Sequence, residues 1–201
     1  LSFETTLRIK RIIDILASIV LLSFLSPILI AAAIAVKITS KGPIVYAGRR
    51  WGVGESTFRC YKFRSMVMDQ QAALQQHGLA EFGPEGQPLL HTADPRVTAV
   101  GAFLRKTSID ELPQLFNVLL GQMSIVGPRP LPLVMLEKHE GFRRARGLVR
   151  PGITGLWQIR GRVKNVTTLA MVDDDLEYIR RLSLALDLYI IVKTFPRILG
   201  P

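Results

Sequence analysis

Between Ile15 and Val36 the chain carries no charged residue. Arg11 and Lys37 bracket 25 residues interrupted only by Asp14. As a straight helix this stretch runs ~38 Å at about 1.5 Å per residue, against a bilayer core of about 30 Å. Its length therefore permits a membrane helix. It is too long for the apolar region of a signal peptide and lacks a small-residue cleavage pattern. Ser26-Pro27 lies mid-run. Proline removes a backbone donor and kinks a helix, and the Ser26 hydroxyl is placed to satisfy the freed carbonyl. Arg8, Lys10 and Arg11 precede the run; Lys37, Lys41, Arg49 and Arg50 follow it. Basic flanks favour the cytoplasmic side, and here both flanks qualify. Two topologies follow: a plain kinked transmembrane helix, or a helix broken at Ser26-Pro27 that enters and leaves by one face.

The rest of the 201-residue chain is basic, with a formal net charge of +10. That charge calls for an anionic partner: nucleic acid, an anionic membrane surface or phosphorylated substrates. A single cysteine, Cys60, excludes an internal disulfide.

After Lys41, Gly42-Pro43, Gly48 and Gly52-Val53-Gly54 punctuate short strand signals at 44–46 and 57–61. Tyr61-Lys62-Phe63-Arg64-Ser65-Met66 alternates aromatic and basic residues. A strand here puts Lys62 and Arg64 on one face, where two cations suit a diphosphate, or simply a solvated face. Residues 70–93 read as a helix and then a long surface loop, with Gly and Pro clustered from Gly83 to Pro88. His77 and His91 have no metal-ligand partner at useful spacing and read as surface residues.

The most informative stretch is 100–130. Arg105-Lys106 precede Thr107-Ser108-Ile109-Asp110-Glu111-Leu112-Pro113-Gln114, and a short amphipathic helix follows up to Gly121. Ser108-x-x-Glu111 matches a capping box, while Pro113 fits better with Asp110 as the cap. Either register puts two carboxylates at a helix start. There the helix field is expected to lower a carboxylate pKa and gather phosphate oxygens. An ionised Asp110 can attack phosphorus, as carboxylates do in acyl-phosphate enzymes. Glu111 can bind Mg²⁺ or order the attacking group, and Arg105 can neutralise phosphates. In Gly127-Pro128-Arg129-Pro130, two prolines hold one arginine rigid, which suits phosphate pairing.

Arg143, Arg144, Arg146 and Arg150 form a run of the kind usually solvated or facing lipid headgroups. The glycine-rich stretch 151–162 contains Trp157, suited to a nucleobase, a sugar or the membrane interface. Asp173, Asp174 and Asp175 are expected to open a helix. Residues 182–199 read as an interfacial amphipathic helix in which Asp187 needs a cationic partner or a function.

Together these pieces resemble one family, the bacterial sugar transferases, or monotopic polyprenyl-phosphate phosphoglycosyltransferases. The resemblance covers about 9–199. It rests on Lys10-Arg11-Ile12-Ile13-Asp14, Ser26-Pro27, Tyr61 to Met66, Asp94-Pro95-Arg96, Ser108 to Val118, Met123 to Pro130, Arg150 to Gly155 and Leu186-Asp187-Leu188, in that order.

The resemblance implies an α/β, mostly helical fold. Residues 1–40 would form a re-entrant membrane helix hairpin broken at Ser26 and Pro27. Residues 41–201 would form a small catalytic domain with interfacial amphipathic helices, on the cytoplasmic face of the bacterial inner membrane. It implies a ping-pong, Mg²⁺-dependent reaction. Asp110 takes a sugar-1-phosphate from a UDP-sugar, with UDP-glucose or UDP-galactose expected, and passes it to undecaprenyl phosphate. This would initiate exopolysaccharide, capsule or O-antigen synthesis. Catalysis and metal binding fall to Asp110 and Glu111. Substrate binding falls to Lys62, Arg64, Arg105, Pro128, Arg129, Arg162 and Asp187. Membrane lipids are partners, a homodimer is a candidate assembly, and no nucleic acid is expected.

The loop before Asp94 is longer than in compact members, and Val163 follows Gly161-Arg162 where asparagine is common; both bear on the sugar accepted. The absent initiator Met fits a catalytic domain taken from a longer relative with additional transmembrane helices. A nucleic-acid binder accounts for neither the apolar run nor the acid pair. A basic membrane scaffold leaves Asp110-Glu111 beside Arg105 and Arg129 unexplained, and a polytopic transferase needs several long apolar helices.

Overall fold

The computed structural model describes residues 2–80, 94–137, 139–160 and 168–198. Helix α1 (Phe3–Thr39) starts at Ser2, whose hydroxyl accepts from the Thr5 amide, and carries Lys37 in its last turn. The cap satisfies an orphan donor, and the lysine suits the negative end of the helix. Burial along α1 is inverted relative to a soluble helix. Thr6, Lys10, Asp14 and Ser18, spaced by four, are buried on one face. Ile12, Leu16, Val20 and Phe24 point outward, Phe24 being 80% exposed. Polar atoms face protein and apolar atoms face outward, the arrangement a helix adopts in lipid rather than in water.

Among the described residues, α1 alone is long and apolar enough to cross a membrane. It continues through Pro27 as one helix, so the break expected at Ser26-Pro27 is confined to a local loss of hydrogen bonding. Ser26 Oγ donates to the Ser23 carbonyl at 2.8 Å, the acceptor that an amide at position 27 would have used. Both ends of α1 rest on the domain that follows. Ala32 and Val36 pack with Phe63 and Leu104, and the buried polar face contacts Asp187 and the Ile125 amide.

Strands β1 (Val45–Trp51) and β2 (Thr57–Phe63) form an antiparallel hairpin, with Tyr46 opposite Lys62, Gly48 opposite Cys60 and Arg50 opposite Phe58. The short helices α2 (Gln70–Gln76) and α3 (Ala99–Lys106) follow. A 3₁₀ turn (Ile109–Glu111) then leads into α4 (Gln114–Leu119). Strand β3 (Ser124–Val126) pairs in parallel with β4 (Gly152–Thr154) across α5 (Leu133–Leu136) and α6 (Glu140–Arg146). Helices α7 (Leu156–Arg160), α8 (Thr168–Arg180) and α9 (Leu184–Ile198) complete the chain. The architecture is mostly helical with two small sheets, as expected.

Two glycine contacts set the spacing that the site needs. A β-carbon on Gly101 would lie 2.0 Å from the Ser65 carbonyl, so only glycine lets α3 sit this close to the end of β2. One on Gly152 would lie 2.0 Å from the Gly127 nitrogen, where β3 and β4 meet.

Several expectations need correction. Asp173 to Asp175 lie inside α8 rather than at its start. Asp175 is buried and paired with Arg146 at 3.0 Å, and Asp174 pairs with Arg160. The arginine run is only partly solvated. Arg146 is buried, Arg143 binds Glu55 and stacks on Trp51 at 4.8 Å, and Arg150 caps the Gly121 carbonyl. Arg144 remains exposed, pairing with Glu140 and Glu55 at the surface. Trp157 packs beside Leu131, Met135 and Met171 as part of the core. The outer face of α9 exposes Leu188, Val192 and Phe195, in keeping with an interfacial helix. The loop at 83–88, His91 and Gly161 to Val163, including Arg162, lie outside the described residues.

Candidate active site

The site forms where β2, α3 and the 3₁₀ turn converge. Ser108 opens that turn in the left-handed region at φ 57 and makes no side-chain cap. Such a backbone costs free energy for a non-glycine residue and recurs at functional sites. Helix α4 begins after Pro113, so neither Ser108 nor Asp110 caps it. Both capping registers read from the sequence give way to a strained turn that places Asp110 inward, only 7% exposed.

Asp110 makes no hydrogen bond through its carboxylate to any described residue. Its neighbour Glu111 is held firmly: Lys62 Nζ donates to Glu111 Oε1 at 2.6 Å, and an Arg129 guanidinium nitrogen lies 3.4 Å from the same oxygen. Arg105 is aimed by its Nε–H···Oγ bond to Ser65 at 2.8 Å. Burial pushes the Asp110 pKa up, and the Glu111 charge adds to this; Lys62, Arg105 and Arg129 pull it back down. The direction is opposite to that expected from a helix start. A 3₁₀ turn of three residues supplies little dipole, and desolvation dominates.

The positioning shell is built from residues spread along the chain. Asn117, fully buried on α4, accepts from the Tyr61 amide at 2.9 Å and donates to the Arg59 carbonyl at 2.7 Å. It thus ties α4 to the strand that carries Lys62. On the far side, the Arg146 guanidinium donates to the Arg129 carbonyl while paired with Asp175. The Pro128-Arg129-Pro130 turn is therefore braced from beneath. Arg50 lies near Cys60 of β2, which also feels the charges of Lys62, Glu111 and Arg129. Sequence reasoning missed Asn117, Arg146 and Arg50. The hairpin register, which places Arg50 two residues from the strand position facing Cys60, was the signal for the last of them.

Thus Lys62, Arg105, Arg129, Asp110 and Glu111 come together. Arg64 and Asp187 do not join them. Strand β2 ends at Phe63, so Arg64 escapes the alternation that would have paired it with Lys62. Its guanidinium instead binds the Ser40 carbonyl at 2.7 Å, the Ser40 hydroxyl at 2.6 Å and the Pro43 carbonyl, closing the end of α1. Asp187 is buried with Lys10 at 2.5 Å and accepts from the Tyr178 hydroxyl at 2.7 Å. Burial raises its pKa, and Lys10 opposes that. Neither Lys10 nor Tyr178 touches the acid pair.

An apolar groove of about 660 Å³ runs from α1 toward the site, lined in part by Leu22, Leu29, Tyr61, Phe63, Pro113 and Phe116. Pro113 places one end of it close in sequence to the acid pair.

The family model for bacterial sugar transferases matches residues 5–201. The chain belongs to the bacterial sugar transferase family. Among its relatives, an exopolysaccharide production protein ExoY from Sinorhizobium fredii is 41% identical over 194 residues, which are 94% of this chain and 84% of that protein. A UDP-N-acetylgalactosamine-undecaprenyl-phosphate N-acetylgalactosaminephosphotransferase from Aeromonas hydrophila is 41% identical across 95% of this chain and 44% of its own length. A UDP-glucose:undecaprenyl-phosphate glucose-1-phosphate transferase from Klebsiella pneumoniae is 44% identical across 92% and 39% respectively. This sugar transferase therefore spans most of ExoY but less than half of the two longer relatives.

The contrast between Arg129 and Arg144 gives a direct check on the site. Arg129→Ala is expected to lower kcat/KM about 100-fold or more, the scale of a lost charge-assisted contact to a transferring phosphoryl group. Arg144→Ala, at the exposed pair, should change it less than twofold. Equal losses in steady-state assays would mean that the reaction occurs elsewhere.

Proposed function

We propose that the chain transfers a sugar-1-phosphate from a UDP-sugar to undecaprenyl phosphate through a phosphosugar on Asp110. UDP-glucose or UDP-galactose is the donor, and the product initiates exopolysaccharide, capsule or O-antigen synthesis. The observation that carries the reading is the buried Asp110 carboxylate, without a hydrogen bond among the described residues, beside a Glu111 pinned by Lys62 and Arg129.

In the first half-reaction an Asp110 oxygen attacks the sugar-bearing phosphorus. The bond from that phosphorus to the bridging oxygen breaks, and UMP leaves with the electron pair. In the second, an oxygen of the polyprenyl phosphate attacks the same phosphorus and the acyl-phosphate bond breaks, returning the Asp110 carboxylate. Arg105 and Arg129 bind phosphoryl oxygens in both halves, and Lys62 keeps Glu111 oriented. The apolar groove suits the acceptor's hydrocarbon chain.

Two adjacent carboxylates, one of them without a hydrogen bond among the described residues, fit Mg²⁺, which takes one or two protein carboxylates and completes its shell with water and phosphate oxygens. Among the described residues no three acidic, His or Cys groups converge, so a closed protein cage is not the arrangement. Asp110 and Glu111 would hold the ion, which supplies positive charge against the diphosphate when bound.

The test is a single turnover without lipid: UDP-sugar and Mg²⁺ release up to one equivalent of UMP. No release from a preparation that is active with lipid would exclude the covalent route. The same assay across UDP-linked sugars identifies the donor.

Because Lys62 helps hold the Asp110 pKa down, its removal should be visible in the pH profile. The nucleophile must be ionised, so activity falls as pH drops through the Asp110 pKa, which lies above the ordinary carboxylate range. Lys62→Met should shift that acid limb to higher pH. An unmoved or downward-shifted limb in UMP-release rates would place the titrating group elsewhere.

The membrane reading is re-entry with both ends of α1 cytoplasmic, at the cytoplasmic face of the inner membrane. It is supported by the two ends resting on one domain and by the outward apolar face. Cysteines introduced at Ser2 and Ser40 should both resist impermeant thiol reagents in sealed cells, the native Cys60 being buried. Labelling of one but not the other would mean that α1 spans.

A further inference from the structure

The β1 edge of the hairpin carries chemistry that the reaction above leaves unused. Tyr46, Gly48 and Arg50 alternate along β1 and therefore project on one face, the face that Lys62 shares across the strand pair. Tyr46 is directly opposite Lys62, whose ammonium holds Glu111 at 2.6 Å. Half of the Tyr46 surface is exposed.

Between Tyr46 and Arg50 the chain has glycine, and the space above it is filled by its neighbours. A β-carbon on Gly48 would lie 2.8 Å from Tyr46 Cε1, 3.0 Å from the Tyr46 hydroxyl oxygen and 3.0 Å from an Arg50 guanidinium nitrogen. The ring thus folds back along its own strand over Gly48, where the guanidinium also lies, and a side chain at position 48 would have to push both aside. Arg50 forms no ion pair with any described carboxylate; among the described residues its side chain bonds the Arg49 carbonyl alone, at 2.8 Å. Its backbone bridges to Pro132, beside the Arg129 turn. Lys62, Arg105 and Arg129 act on Asp110, and Arg50 acts with Lys62 and Arg129 on Cys60, the residue opposite Gly48, so the hairpin beside the acids is rich in cations, which suits a bound diphosphate.

We propose that Tyr46 and Arg50, folded together over Gly48, form the subsite for the nucleoside monophosphate half of the donor. The tyrosine ring takes the pyrimidine face, and the guanidinium takes the phosphate that departs with the nucleoside. The assignment rests on the reading of this chain as a UDP-sugar-dependent transferase. It adds an orientation: the nucleoside lies along the β1 edge, and the apolar groove on the α1 side is left to the lipid.

The test separates binding from chemistry by working in the Asp110→Asn protein, where no covalent step occurs. UMP, uridine and inorganic phosphate are titrated by calorimetry in detergent. Arg50→Ala should weaken UMP and phosphate about tenfold and leave uridine little changed. Tyr46→Leu should weaken UMP and uridine but not phosphate, and Tyr46→Phe should retain uridine binding. Gly48→Ala should weaken all three by displacing the ring and the guanidinium. Unchanged UMP affinity in Arg50→Ala and Tyr46→Leu, with thermal unfolding like that of the parent, overturns the subsite. A change in vesicle partition with UMP affinity unchanged also overturns it, in favour of a membrane contact for Tyr46. If UMP binding follows the expected pattern but the wild-type protein releases no UMP without lipid, the covalent reading fails and the subsite stands.

Discussion

Asp110→Asn is expected to abolish transfer, with a loss on the order of 10⁴-fold or more, the scale seen when a covalent nucleophile is removed. The substitution keeps the shape of the side chain and removes its nucleophilic charge. Because the Asp110 carboxylate makes no hydrogen bond to any described residue, little of the fold should depend on it, and thermal unfolding should change modestly. The wild-type protein with UDP-sugar, Mg²⁺ and no acceptor should carry a phosphosugar mass on the peptide containing Asp110; the variant should not. Residual turnover within tenfold of wild type, or a phosphosugar on Glu111 instead, would reassign the nucleophile. Glu111→Gln should behave differently. It frees Lys62 and Arg129 from their shared partner, so slow but measurable UMP release should survive.

The second large effect is on stability. Arg146→Met leaves Asp175, 2% exposed, without its cation. Breaking one side of a buried pair costs about 3–5 kcal/mol. For a chain of this size that corresponds to a Tm fall of roughly 10 °C, at about 2–4 °C per kcal/mol. Burial holds the Asp175 pKa up at about 6 even with Arg146 present. The folded state thus binds more protons than the unfolded state between roughly pH 4 and pH 6, and stability falls as pH rises through that window. Removing Arg146 should push the folded pKa higher and extend the loss toward neutral pH. Arg146→Met with Asp175→Leu should restore most of the Tm. It should not restore turnover fully, because the Arg129 carbonyl still lacks its guanidinium donor. Full recovery of turnover in the double variant would show that Arg146 serves packing alone.

What could be read from the sequence depended on how local the cause was. The Pro27 lesion and its repair by Ser26 follow from residues adjacent in the chain, and the structure has that bond. Strand signals inside β1 and β2, the acid pair and the Pro128-Arg129-Pro130 turn were legible for the same reason, though the pairing of the two strands and the length of β1 were not. Arg64 was misplaced because alternation was extended one residue past the end of β2, where the chain turns toward Ser40. Arg146 looked solvated because its partner Asp175 lies on another helix, and a charge run read alone always resembles surface. The protonation of Asp110 was misjudged because a helix start was assumed and burial ignored. Desolvation depends on the whole fold and leaves no local signature.

The polar face of α1 has a practical consequence for anyone handling this protein. Arg11 holds the last carbonyls of α4, Val118 and Leu119, and Asp14 accepts from the Ile125 amide at 3.0 Å. Lys10 neutralises Asp187. Cutting the chain near Lys41 to obtain a water-soluble fragment would strip all of these partners of their contacts at once and uncover the surface that α1 protects. The greasy helix is a structural wall of the enzyme as well as its mooring. A detergent-free version would have to keep α1 in place and redesign only its outward side chains.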